Sequence, residues 1–352
     1  MISYGISLFL LVFWLPIPPV YSYSIVAITG FLLFLSPIEQ GGTQRPLISA
    51  LVIIFALGSI ATIFFSKDIT RSVATTLHQG LGVLIFFLIA YGFKKEKDYL
   101  LTYAAISITA FFISAYLLLV TISDPTGVPL EWVHSAALPV IAVPNDVAFC
   151  CLTAPLLLSI CDFSEKRALH LIAVIQLVLL ALTAAVYRSA VGLVCLVCTL
   201  TVYALLTKNA KHLASLSLII FTAFLADLYF QLPLTRKFME TLRSGGWDPR
   251  IAIWLVAWGM FLKAPLTGHG PHTFINYYKS SLVKLDLPPE LTVDTRVVPW
   301  AHNLYLEILA ERGLLVFLVF FGLITLTLFH SIRTIRNSQG EFSYLLCGAL
   351  AA

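Results

Sequence analysis

The chain has 352 residues, of which 59% are hydrophobic and 11% charged, with a formal net charge of +4 and a mean hydropathy of +0.92. A soluble domain carries roughly 25% charged residues, so this composition excludes an ordinary soluble globular protein and points to an all-α polytopic membrane protein. The small positive excess fits loop orientation, and no basic tract with interleaved aromatics is present to engage nucleic acid.

A spanning helix takes roughly 20 predominantly apolar residues. Apolar runs predict spans over 3–15, 20–36, 46–65, 72–93, 99–122, 146–162, 168–187, 189–207, 213–230, 313–330 and from 342 onward, about 11–12 transmembrane helices. Pro16-Ile17-Pro18-Pro19 reads as a turn between the first two. The opening stretch, Met1 to Leu15, has no charged n-region and no small-residue cleavage site, so no signal peptide is expected there. The last run, Phe342 to Ala352, stops within apolar sequence, so the final helix is expected to be incomplete. The six cysteines lie in or beside apolar runs, and Cys195 and Cys198 form a C-x-x-C with no second ligand pair. They read as small apolar core residues, with neither a disulfide framework nor a zinc site.

Basic residues orient the loops. Lys94, Lys95 and Lys97, then Lys166 and Arg167, then Lys208 and Lys211, then Arg333 and Arg336 mark four cytoplasmic loops. The fourth stays inside only if everything from 231 to 302 stays outside. Ile251 to Ala264 is apolar but has only 14 residues, about 21 Å as a helix. It reads as an interfacial or re-entrant helix, with Trp254 and Trp258 at headgroup level. The organisation is then a transmembrane bundle over 1–230, an external loop over 231–302 that carries the active-site residues, and C-terminal transmembrane helices over 303–352.

Four places could carry chemistry. Arg188 stands between two apolar runs with almost no loop; it either snorkels to the interface or grips a phosphate through two parallel hydrogen bonds. Arg250 opens the short apolar helix after Asp248 and Pro249, which read as its cap and first position. It either pairs with Asp248 or headgroups, or forms a second anion clamp beside a helix N-terminus. Gly268 and Gly270, in Leu266-Thr267-Gly268-His269-Gly270-Pro271-His272, read as a tight turn. No Gly-Lys-Ser/Thr makes it a P-loop, and His269 and His272 lack the company of a metal site. His302 falls on the external side and precedes a helix whose polar residues Asn303, Glu307 and Glu311 recur every four positions, on one face. A histidine there titrates near neutrality, as base chemistry on a hydroxyl requires.

In these residues the chain resembles the O-antigen ligase and O-antigen polymerase superfamily of bacterial envelope glycosyltransferases. The family pattern H-[NSQ]-x9-G-x-x-[GTY] after a large periplasmic loop is met by His302, Asn303 and Gly313, while Val316 departs from it at the last position. Arg188 to Leu193 is similar to the family's loop arginine at a helix start, with Gly192 one position off. Arg250 to Gly270, with Trp254, Pro265 and Gly268, is similar to its second arginine region. Val143-Pro144-Asn145-Asp146 is similar to its Asn-bearing middle helix. The resemblance covers roughly 140–330.

The resemblance implies transfer of a glycan from an undecaprenyl-diphosphate donor, with inversion, by a multi-pass protein of the bacterial inner membrane whose site faces the periplasm. The acceptor would be lipid A–core oligosaccharide for a ligase, or a second lipid-linked glycan for a polymerase. No cofactor, metal or nucleotide sugar is implied, in keeping with the absence of D-x-D, P-loop and zinc patterns. Arg188 and Arg250 would neutralise the diphosphate and His302 would activate the acceptor hydroxyl. Asn303 and Glu307 would position His302 or a sugar, and Tyr305 and Trp300 would stack on sugar rings. A transporter or flippase for a lipid-linked oligosaccharide is the alternative of a different class. Against it, the polar residues gather in one external segment, with no inverted repeat.

Overall fold

The computed structural model describes residues 5–6, 46–93, 95–123, 143–164, 166–187, 189–208, 214, 216–222, 225, 248–282, 298–337 and 342–352. Every regular element among them is helical. In chain order they are α1 (Pro46–Thr62), a 3-10 turn (Ile63–Phe65), α2 (Ile69–Gly92), α3 (Glu96–Ser123), α4 (Val143–Leu152), α5 (Ala154–Ser164), α6 (Arg167–Val186) and α7 (Ala190–Thr207). They continue with α8 (Asp248–Lys263), α9 (Phe274–Leu282), α10 (Leu304–Asn337) and α11 (Phe342–Ala351).

Six helical stretches among the described residues are long and apolar enough to cross a membrane: Pro46–Phe65, Ile69–Gly92, Glu96–Leu119, Val147–Ser164, Arg167–Val186 and Leu304–Asn337. The chain is an all-α, multi-pass membrane protein. The expected runs 3–15 and 20–36 and most of 213–230 lie outside the described residues. The expected span 146–162 is two helices, α4 and α5. Pro155 has no N–H to continue the ladder, and the chain breaks at Thr153, whose hydroxyl donates back to the Cys150 carbonyl at 2.7 Å.

Contacts divide the chain into two compact units. One comprises 1–42, 88–238 and 331–352. Its core joins Leu117 of α3, Val147 and Cys151 of α4, Leu157 of α5, Leu177 and Ala181 of α6, Leu196 and Tyr203 of α7 and Cys347 of α11. Small residues let these helices approach closely: a side chain on Gly192 would crowd Val147, and one on Gly348 would crowd Ser159. Some buried polar groups are paired across helices, while Ser107, Ser114 and Ser164 Oγ have no hydrogen-bond partner among the described residues. Gln176 donates to the Ser107 carbonyl at 3.0 Å and the Tyr203 hydroxyl donates to Asp162 at 2.8 Å. Cys150, Cys151, Cys161 and Cys347 are buried thiols, while Cys195 is half-buried and Cys198 exposed.

The other unit comprises 43–87 and 239–330. Its core joins Ile253, Val256, Ala257 and Met260 of α8, Phe274 and Tyr278 of α9, and Val298, Ala301 and Ala310. The short apolar helix α8 therefore lays one face on protein, while Trp258 and Leu262 on its other face are exposed; Trp254 packs beside the core. α10 is two helices joined at Gly313, whose φ of 75° and ψ of 176° are not helical. The rings of Tyr305 and Phe320 stand 6.2 Å apart, whereas a straight helix would separate those positions by about 22 Å. The short helix 304–312 thus folds back on the start of the long one. Below the kink, the methyls of Val316 meet Gly58 of α1 at the distance of a side chain that Gly58 lacks, 2.9 Å from an added Cβ.

Candidate active site

The kink at Gly313 leaves backbone groups without helical partners, and buried groups of that kind must be satisfied elsewhere. The turn after α8 supplies the partners. The Leu314 N–H donates to the Pro265 carbonyl at 2.7 Å, and the Glu311 carbonyl accepts from the His269 and Gly270 N–H groups at 3.1 and 2.8 Å. Gly268 and Gly270 take φ of 64° and 92° to present these groups. An added Cβ on Gly268 would overlap the Glu311 carbonyl oxygen, and one on Gly313 would overlap the Leu266 carbonyl oxygen. The two segments are therefore in backbone-to-backbone contact.

The Glu311 side chain completes the join. It is 1% exposed, and its two oxygens accept from His272 N–H at 2.6 Å and Phe274 N–H at 3.0 Å. Phe274 is the first residue of α9, so the carboxylate sits where a helix offers unpaired donors and partial positive charge. Beside it Arg312 is 3% exposed, and its Nε–H has no partner among the described residues.

At the head of the short helix, Asn303 is the cap. Its Oδ1 accepts from the Tyr305 and Leu306 N–H groups at 3.1 and 3.2 Å. The Glu307 carboxylate reaches back and accepts from Ala301 N–H at 3.1 Å. His302 lies between these two anchors with φ of 49°, a left-handed conformation that non-glycine residues adopt infrequently. Its neighbours Trp300 and Tyr305 are 46% and 48% exposed, and His302 is exposed with them. Replacing Asn303 by alanine should lower thermal stability by about 1 kcal/mol; Asn303→Asp keeps the acceptor and should be close to neutral in the same melt.

The loop between α1 and α2 braces the turn from a third side. Ser72 Oγ donates to the Pro271 carbonyl at 2.8 Å, which leaves the Ser66 hydroxyl to donate to Ser72 Oγ at 2.7 Å. Ser66 Oγ in turn accepts from Asp68 N–H at 3.0 Å. Asp68 pairs with Arg71 at 3.6 Å, and Asn276 of α9 bonds both, at 3.4 and 3.5 Å. The Arg71 N–H and then the Asn276 amide hold the Asp68 carboxyl below its usual range. His272 has φ of 58° and its ring lies 5.8 Å from that of Trp300. Burial, and then the charge of Arg71, depress its pKa.

Of the residues singled out in the sequence, Trp300, His302, Asn303, Tyr305 and Glu307 share one turn and helix head, and Gly268, Gly270 and Gly313 form the join beneath it. Arg250 is exposed in the first turn of α8. Arg188 lies outside the described residues, but its neighbour Ser189 caps α7 by accepting from Gly192 N–H at 3.1 Å. Arg312, Ser66, Asp68 and Ser72 are not singled out by the sequence, and His272 reads there only as part of the glycine turn. Glu311 alone carried a signal, as the third member of the polar face.

Residues 171–321 match the family model described as O-Antigen ligase. In this region the chain is similar to O-antigen ligases. The matched segment contains Arg188, Arg250 and His302 and runs eight residues past Gly313, to Phe321. No curated protein and no solved structure matches the chain.

Proposed function

We propose that the protein transfers a glycan from undecaprenyl diphosphate to an acceptor on the periplasmic face of the bacterial inner membrane, with lipid A–core oligosaccharide the favoured acceptor. The observation that carries this reading is His302. Within the region matched to O-antigen ligases it stands exposed on a helix head that Asn303 and Glu307 fix from both sides. A histidine held in an infrequent backbone conformation by its neighbours is the arrangement of a positioned acid or base.

In the proposed reaction the acceptor hydroxyl oxygen attacks the anomeric carbon while the bond from that carbon to the diphosphate oxygen breaks, with inversion. His302 takes the hydroxyl proton and later releases it to water, and the lipid diphosphate leaves. Charge grows on the leaving oxygens, where Arg188 and Arg250 would stabilise it. Exposed Trp300 and Tyr305 offer rings for sugar faces.

Purified protein supplied with lipid-linked glycan and lipid A–core should form the joined product. His302→Ala should slow it about 10²–10⁴-fold, and Arg188→Lys should also lose activity, because lysine keeps the charge without the fork. Full activity of His302→Ala would overturn the base assignment. A ladder of longer lipid-linked chains in place of lipid A–core product would identify a polymerase. Movement of the lipid across vesicles with no new glycosidic bond would establish the transporter instead.

A further inference from the structure

A cavity of about 500 Å³ opens where the α1 turn, the end of α8, the glycine turn and α9 meet, lined by Lys67, Lys263, Thr267, His269, Tyr277 and Ser281 among others. Its size is that of an ordinary ligand pocket, and its chemistry is one-sided. Both lysines are cationic, no carboxylate lines the cavity, and neither lysine has an ion-pair partner among the described residues. The Lys67 ammonium is held 5.1 Å over the Tyr277 ring, and His269 packs against that ring at 4.5 Å. His269 is fixed by its Nε2–H, which donates to the Met260 carbonyl at 2.9 Å. The Tyr277 hydroxyl is buried and has no partner among the described residues. Two lysines without an ion-pair partner among the described residues around one cavity call for an anion with several acceptor oxygens.

The setting identifies the kind of anion. Phe65, which ends the candidate span Pro46–Phe65, lines the cavity. Phe64 and Phe65 are 84% and 56% exposed, and Trp258 and Leu262 on α8 are exposed as well. The exposed Trp258 is of the kind that sits at headgroup level, where lysine stems lie along apolar surface and their ammoniums meet lipid phosphate. We propose that the Lys67–Lys263 cavity binds the phosphate of a membrane lipid. The cavity shares no lining residue with the helix head that bears His302. It is nevertheless tied to that helix, because the His269 N–H that follows Gly268 donates to the Glu311 carbonyl. The same chemistry is offered by a glycerophospholipid and by a polyprenyl-diphosphate carrier.

The test uses the full chain, purified in neutral detergent, with binding read from the thermal midpoint during titration with phosphatidylglycerol, a polyprenyl diphosphate, diacylglycerol or inorganic phosphate. The wild type should bind at least one of the two phosphate lipids. Lys67→Gln with Lys263→Gln should weaken that binding about tenfold or more, whereas Lys67→Arg with Lys263→Arg should retain it. The lipid whose binding falls names the source. Binding unchanged in the glutamine pair, equal loss in the arginine pair, or inorganic phosphate or diacylglycerol binding as tightly as the phosphate lipids would each overturn the assignment.

Discussion

Replacing Gly313 by alanine should be among the most damaging single changes in this chain, lowering stability by about 3 kcal/mol or more. Two effects add. Alanine at φ of 75° costs about 1–2 kcal/mol in the left-handed region. Its methyl would also overlap the Leu266 carbonyl, so the turn must retreat. That retreat strains the bond from Leu314 N–H to Pro265 at 2.7 Å and the pair received by the Glu311 carbonyl. Gly322, on the same helix, supplies the contrast. Nothing stands within 4 Å of a Cβ placed there, so Gly322→Ala should be neutral or stabilising by up to about 1 kcal/mol through helix propensity. Thermal melting of both variants checks this, and equal behaviour of the two would show that the kink is not what the fold depends on.

Replacing Glu311 by glutamine should cost about 2–4 kcal/mol. The side chain keeps its shape, but only one acceptor oxygen remains for the two N–H groups of His272 and Phe274, which now bond one oxygen each. The amide NH2 faces the other donor. Hydrogen exchange localises the effect: protection should fall in peptides over 268–276 and 302–312, and stay unchanged in α6 and α7, which belong to the other packing unit. Uniform loss of protection across the chain would place the role of Glu311 elsewhere. Because the join also supports the helix headed by His302, the proposed glycan transfer should fall with it.

The sequence made most of the described spans and the shortness of α8 legible, because each rests on local hydrophobic period and length. Asn303 as a cap was legible in principle, since Asn directly before an apolar helical run is a start signal. The differing fates of Glu307 and Glu311 were not legible. Spacing of four puts both on one face, yet Glu307 is half-buried and bonds six residues back, while Glu311 is buried against a turn 37 and 39 residues upstream. Periodicity reports a face and says nothing of what arrives to cover it. For the same reason Ser66 and Asp68 read only as the link between two spans and Ser72 as the start of the second, although Ser72 holds Pro271, 199 residues away. The break between α4 and α5 needed only Pro155 to be weighed inside an apolar run.

The glycines of this chain differ in what could compensate for their loss. At Gly268 and Gly313 the obstacle to a side chain is the peptide backbone of the opposite segment, which no exchange of residues can trim. Gly58 is another case, because what it faces is the side chain of Val316, the position where the family pattern ordinarily has Gly, Thr or Tyr. A larger residue at 58 could therefore be offset by a smaller one at 316 across the α1–α10 contact, while no side-chain exchange relieves 268 or 313.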